Sequence, residues 1–157
     1  MLETGKRAPA FTLPTDSGEK FQLTAQKGRA VVLFFYPKDN TSGCTKEAIG
    51  FTEKLRSFKS KDAVVVGISP DSVKSHEKFR KDHKLKVILA SDEDKKVLEK
   101  YGVWVQKSMY GRKYMGVERT TILIDQKGKI ARIWNKVKVP GHVEEVLDAV
   151  KALKQSA

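Results

Sequence analysis

The chain holds one cysteine, Cys44, with Thr41 three residues before it and Pro37 seven before it. A thiolate is a nucleophile that oxidises stepwise, whereas a buried thiol is an inert small hydrophobe, so the surroundings decide which this one is. Thr41 carries a hydroxyl that can be offered to the sulfur or to a substrate oxygen. Downstream, Cys44, Ala48, Phe51, Leu55 and Phe58 recur at spacings of four, three, four and three. That is the apolar stripe of a helix over 44 to about 58. Cys44 opens this helix on its inward face, where N–H groups without helical partners and the positive end of the dipole favour a thiolate. With a single cysteine, neither an intrachain disulfide nor a cysteine-based zinc site forms within one chain.

These residues need a scaffold, and the hydrophobic pattern describes one. Ala30 to Tyr36 is a continuous β-branched and aromatic run, the mark of a central strand covered on both faces. A second run, Ala63 to Ile68, completes a strand, helix, strand unit, which sets its two strands parallel in one sheet. Asp71-Ser72 can cap a helix over 72 to 83. A short strand over 87 to 90 and a short helix over 94 to 101 follow. Strands over 120 to 125 and 129 to 134 form a hairpin about Gln126-Lys127-Gly128. Beyond Pro140-Gly141, Val143, Val146, Leu147, Val150 and Leu153 mark a closing amphipathic helix. The alternation predicts an α/β sandwich with a mixed sheet. In open sheets of this kind ligands gather outside the carboxyl ends of the strands, and the segment from Phe35 to Cys44 leaves at that end.

Composition agrees with one folded domain over 1–157: 39% of residues are hydrophobic, 32% are charged and five are proline. The longest apolar run falls far short of the roughly 20 residues of a membrane-spanning helix. Met1 to Lys6 lacks the apolar stretch of a secretory leader, so a cytoplasmic protein without a membrane partner is expected. Thirty-one Lys and Arg against nineteen Asp and Glu give a net charge of +12. The charge is dispersed, which reads first as a solvated surface. The rival reading is a nucleic-acid-binding or chaperone-like protein. In it Lys54, Arg56, Lys59, Lys61, Lys74, Lys78, Arg80, Lys81, Lys84 and Lys86 supply weak, nonspecific phosphate contacts, but no recognised motif accompanies them.

The spacing Pro37-x-x-x-Thr41-x-x-Cys44 resembles the active-site pattern of peroxiredoxins. Tyr36-Pro37-Lys38-Asp39-Asn40-Thr41, then Tyr101-Gly102-Val103-Trp104 and the run Tyr110 to Gly116, are similar to the subgroup called bacterioferritin comigratory protein, or peroxiredoxin Q. The likeness extends from Pro9-Ala10-Phe11 to the last helix. It implies a thioredoxin-like sandwich, with a central mixed sheet flanked by helices and an N-terminal β-hairpin extension. It also implies a thiol peroxidase, without metal or organic cofactor, that reduces hydrogen peroxide and organic hydroperoxides through a Cys44 sulfenic acid. Arg119, in Glu118-Arg119-Thr120-Thr121, holds the place of the family's arginine, whose guanidinium lies beside the sulfur. The catalytic set so implied is Cys44, Thr41, Arg119 and Pro37, with Glu47, Gly43 and Tyr36 in support. Pro37, with no N–H and a fixed φ, is suited to shaping the loop and shielding the sulfur.

Lowering a thiol pKa from about 8.5 to about 6 raises the thiolate fraction at pH 7 about thirtyfold. Intrinsic nucleophilicity falls roughly tenfold over the same interval, leaving a gain of only a few-fold. Most of the acceleration must therefore come from groups that stabilise the transition state, for which Arg119, the Thr41 hydroxyl and the N–H groups near Gly43 and Cys44 are suitable donors.

Many members of the resembled subgroup carry a resolving cysteine five residues after the first, where Ile49 stands. Others carry it on the following helix, where this chain has Asp82-His83-Lys84. The expectation is a one-cysteine enzyme whose sulfenic acid is resolved by an external thiol, either thioredoxin or glutathione or a similar small thiol. The resemblance further suggests a monomer or weak dimer. Ile49 points away from the apolar stripe, as a flank contact for a reducing partner or as ordinary packing. Glu47 either complements the helix dipole or positions Arg119. His76, His83 and His142 lack metal-ligand spacing and read as surface or packing residues, Trp104 and Trp134 as core or rim, and Gly111 and Gly116 as flanking a basic loop that either borders the site or is simply flexible.

Overall fold

The computed structural model describes residues 2–153. Its elements run β1 (Thr12–Pro14), β2 (Lys20–Gln22), β3 (Ala30–Phe35), α1 (Ser42–Glu53), α2 (Leu55–Ser60), β4 (Ala63–Ser69) and α3 (Val73–His83). They continue with β5 (Ile88–Ser91), α4 (Lys96–Lys100), β6 (Trp104–Met109), β7 (Arg112–Val117), β8 (Thr120–Ile124), β9 (Ile130–Trp134) and α5 (His142–Lys151). The five-stranded sheet has the order β5-β4-β3-β8-β9. β3, β4 and β5 are parallel, and β8 and β9 are antiparallel to their neighbours. This is the mixed α/β sandwich expected from the run of elements, and β1 with β2 forms the N-terminal hairpin.

The apolar run on β3 is continuous because both faces of that strand are covered. Ala30, Val32, Phe34 and Tyr36 point into one layer with Phe51, Phe58 and Val146 from α1, α2 and α5. Val31, Leu33 and Phe35 point into the other, with Phe11, Leu13 and Phe21 from the N-terminal segment and Leu98 and Tyr101 at α4. Burying each such side chain contributes about 1.5–3 kcal/mol, so the sheet and α1 form the firm part of the molecule. Gly67 lets the Phe34 ring lie across β4, since a Cβ there would stand 2.6 Å from Cζ of that ring. Phe34 in turn stacks on Phe51 at 4.6 Å, which seats α1 on the sheet.

Two expectations are corrected. The helix over 44 to about 58 is two helices, α1 and α2, broken at Lys54, whose φ and ψ are −97° and 3°. Leu55 and Phe58 continue the stripe because both helices face the same core. The stretch flanked by Gly111 and Gly116 is no loop but part of a β-ribbon over 104–117. β6 and β7 pair antiparallel from Trp104 opposite Val117 to Met109 opposite Arg112. Tyr110 and Gly111 turn with φ of 51° and 78°, the left-handed pair that a two-residue hairpin turn requires. The ribbon joins no strand of the central sheet, and Met109, Tyr110, Tyr114 and Met115 on it are exposed.

Trp104 and Trp134 are half-buried and pack against the two core layers, as rim residues. Ile49 is likewise half-buried against the core. Arg80 does not belong to the free basic surface. It donates to the carbonyls of Leu85 and Val87 and to the Asp16 carboxylate, which ties α3 to the N-terminal turn. Among the described residues no helix is long and apolar enough to cross a membrane.

Candidate active site

Strand β3 ends at Phe35, and the chain then crosses the carboxyl edge of the sheet before α1 begins at Ser42. Thr41 is the N-cap, so Cys44 lies in the first turn as the third helical residue. The first bond along the helix runs from Thr45 N–H to Thr41 O, at 2.9 Å. The N–H groups of Ser42, Gly43 and Cys44 therefore stand ahead of the ladder, at the positive end of the helix. Cys44 itself is 1% exposed, sunk into the face that packs on β3.

Arg119 arrives from the turn between β7 and β8, and its Nη2 donates to Cys44 Sγ at 3.3 Å. Its Nη1 donates to Glu47 Oε1 at 2.7 Å. Glu47 lies one helical turn past Cys44, fully buried, and its Oε2 has no hydrogen-bond partner. Burial raises its carboxyl from 4.5 to about 7 against the opposing pull of the Arg119 charge. One guanidinium thus spans the sulfur and the carboxylate, which fixes its plane. Gly43 makes room for it, because a Cβ at that position would lie 3.1 Å from Arg119 Nη2.

Thr41 lies in the loop just before the helix. Its hydroxyl donates to Lys38 O at 2.8 Å, and no hydrogen bond joins it to Sγ. With its proton so engaged, the Thr41 oxygen is left to accept hydrogen bonds. Pro37 is half-buried in the same loop. Tyr36 is fully buried, but its hydroxyl donates to Asp39 Oδ1 at 2.7 Å, so it supports the loop and not the sulfur. The structure thus gathers Cys44, Arg119, Glu47 and Gly43 into one contact set, while Thr41, Pro37 and Tyr36 belong to the loop that leads into it.

The histidines depart from the surface-or-packing reading in one instance. His142 is buried with Nε2 2.8 Å from Thr121 Oγ1, and burial lowers it to about 4, so it is a neutral core group. His83 Nε2 meets Asn40 Oδ1 at 2.8 Å. His76 is fully buried yet hydrogen-bonded on both ring nitrogens, to Asp39 and to Ala90 O. The sequence signal for it was slight: Asp39 and His76 lie 37 residues apart, and a histidine on the inner face of a helix looks like core.

The sequence profile of the family described as AhpC/TSA matches residues 4–133. Peroxiredoxin Bcp of Bacillus subtilis is 44% identical over 154 residues, which cover 98% of this chain and 98% of that one. The bacterioferritin comigratory protein of Xanthomonas campestris, whose structures with trapped intermediate and ligand concern its alkyl peroxide reduction activity, is 37% identical with a TM-score of 0.89. That alignment covers 96% of this chain and 98% of the other. A Cys-to-Ser mutant of PrxQ from Xylella fastidiosa is 36% identical, with a TM-score of 0.92 over 97% of each chain.

Proposed function

This chain belongs to the AhpC/TSA family as a peroxiredoxin of the Bcp and PrxQ kind, a thiol-dependent peroxidase with a thioredoxin-like fold, and we propose that Cys44 is its peroxidatic residue. The observation that carries this assignment is the Arg119 guanidinium bonded at once to Cys44 Sγ and to Glu47.

The sulfur attacks one oxygen of a hydroperoxide, the O–O bond breaks, and the second oxygen leaves as alkoxide or hydroxide and takes up a proton. The products are alcohol or water and Cys44 sulfenic acid. Negative charge moves from sulfur to the departing oxygen in this step. Arg119, already at the sulfur, follows that charge, and the free N–H groups at the start of α1 add to it. Thr41 Oγ1 accepts the hydrogen of the attacked peroxide oxygen and so aims that oxygen at the sulfur. Glu47 holds the guanidinium in plane, and Pro37 leaves the loop without an N–H that would draw water to the site.

Recovery falls to an external thiol, because Cys44 is the chain's only cysteine. The thiol attacks the sulfenic acid, water leaves, and a second thiol reduces the mixed disulfide. Thioredoxin, glutathione or a similar small thiol fits this chemistry. The family reading also favours hydrogen peroxide together with alkyl hydroperoxides as substrates, the whole of 1–157 as one domain, a monomer or weak dimer, and a cytoplasmic location.

Peroxide consumption measured with thioredoxin and with glutathione supplied separately identifies the reductant. Cys44→Ser is expected to abolish turnover with both. Arg119→Met is expected to slow the reaction with peroxide by ~10²–10³ while Cys44 remains in place. Turnover retained in Cys44→Ser would remove the assignment.

A further inference from the structure

Asp39 stands two residues before Thr41, and both its carboxylate oxygens and its N–H are engaged. Oδ1 accepts from the Tyr36 hydroxyl at 2.7 Å, and Oδ2 accepts from Ser75 Oγ at 2.8 Å and meets His76 Nδ1 at 2.7 Å. Its backbone N–H donates to Asp71 Oδ2 at 2.9 Å. That N–H belongs to the same peptide group as the Lys38 carbonyl, which receives the Thr41 hydroxyl. Whatever fixes this peptide plane therefore fixes where the Thr41 lone pairs point. Asn40, the next residue, is held by Asp82 and His83 at the far end of α3. The loop into α1 is thus fastened along α3 from the first turn of that helix to its last.

The charge state of the fastening follows from its bonds. His76 Nε2 lies 3.0 Å from Ala90 O, and a carbonyl only accepts, so Nε2 carries a hydrogen. The 2.7 Å contact between Nδ1 and Oδ2 needs a proton too. Since the same carboxylate takes bonds from two hydroxyls, that proton stays on the nitrogen, giving a cationic ring against an ionised acid. Burial opposes the charge, but the Asp39 hydrogen bond and charge, the Ala90 carbonyl and the Asp71 charge outweigh it and raise the ring above its usual 6.5. The titratable groups facing the ring are Asp39 from the loop, Tyr36 from the end of β3 and Asp71 from the approach to α3; β5 contributes only the Ala90 carbonyl. Ligand-type atoms of Asp39, Asp71 and His76 lie within 4.8 Å of one another. The Asp39–His76 contact, at 2.7 Å, is shorter than the roughly 3.4 Å between neighbouring ligands of a tetrahedral zinc bound at about 2.0–2.2 Å, and a hydrogen bond accounts for it.

We propose that His76, as a buried imidazolium, is a positioning residue for peroxide reduction: its bond to Asp39 locks the Pro37 to Thr41 loop on α3 and so orients Thr41 toward the peroxide. The inference rests on Cys44 as the peroxidatic residue for its consequence, though not for its geometry. A raised ring pKa means that the lock is complete below the ordinary histidine range and is lost as pH rises through the folded value.

The test uses the reduced full chain. Nitrogen NMR of the ring at about pH 6.5, where a free imidazole is half protonated, is expected to show both His76 nitrogens carrying hydrogen. On raising the pH, the rate of Cys44 oxidation by hydrogen peroxide should fall over the same range in which the ring loses its Nδ1 proton. In His76→Gln that descending limb disappears, and oxidation is about 10- to 100-fold slower than in the wild type at low pH, the two rates converging once the wild-type ring is neutral. Adding Asp39→Asn should cost little more, because the two residues act as one unit. A neutral ring in an active peroxidase overturns the positioning role alone, as does a wild-type rate in His76→Gln at low pH or a pair of losses that simply add. A doubly protonated ring in a chain that consumes no peroxide overturns the peroxidase reading, and the positioning role with it. Should the variants fail to fold, the ring protonation and rate profile of the wild type decide the matter.

Discussion

Gly43 limits how the site can be varied. It has no special backbone need, since it lies within α1, but the Arg119 guanidinium occupies the space that a side chain would take. Gly43→Ala is expected to fold with little loss and to slow sulfenic acid formation about 10- to 100-fold, measured by single-turnover oxidation, because the donor is pushed off the sulfur. Glu47 makes a pH-dependent prediction. Its carboxyl rises from 4.5 to about 7 on folding, so the folded state holds this proton more tightly than the unfolded chain does. The associated stability is complete below about pH 4.5 and is lost as pH rises through about 7, a change of about 3 kcal/mol. Glu47→Gln should remove that slope, so its stability relative to the wild type improves between about pH 5 and about pH 8 in urea unfolding; equal slopes would contradict the value. Cys44 and Thr41 stood out as neighbours at a helix start, while Pro37 entered through the spacing that resembles the peroxiredoxin pattern. Arg119, 75 residues from Cys44, was legible only through the family resemblance. The use of the Thr41 proton was not legible, since it depends on where the Lys38 carbonyl points.

At the scale of elements, the βαβ unit of β3, α1 and β4 announced itself through continuous apolar runs and a helical stripe. The break at Lys54 did not, because the stripe continues across it on the same core. The ribbon of β6 and β7 was missed for the opposite reason: Gln106, Lys107, Ser108 and Arg112, Lys113, Tyr114 bury no face, so no alternation marks them as strands. Tyr110-Gly111 between two six-residue segments was the available signal. Gly67 tests how α1 is seated. Gly67→Ala places a Cβ on the Phe34 ring, which must shift against Phe51, and should cost about 1–3 kcal/mol in denaturant unfolding. No loss would mean that the ring is free to move and that α1 is held by other contacts.

For the whole molecule, the basic side chains free to meet phosphate are fewer than the nucleic-acid reading counts, since Arg80 is engaged with Asp16 and Lys78 pairs with Asp82. Any DNA affinity should fall steeply with added salt and give no retention in a gel shift near physiological ionic strength; retention there would revive a nucleic-acid role. The more consequential property is that one cysteine must both reduce peroxide and await rescue. A sulfur that is 1% exposed is a poor target for an outside thiol bulkier than peroxide, so resolution is expected to be slower than attack. Attack is thus a step the chain performs alone, and recovery is one it does not. The direct measurement is the stoichiometry of the reduced chain with a limited amount of peroxide and no added thiol. One peroxide consumed per chain, with a single oxygen found on Cys44 and turnover resuming only when thiol is supplied, is the predicted result. Repeated turnover without thiol, or peroxide consumed with Cys44 unmodified, would contradict it.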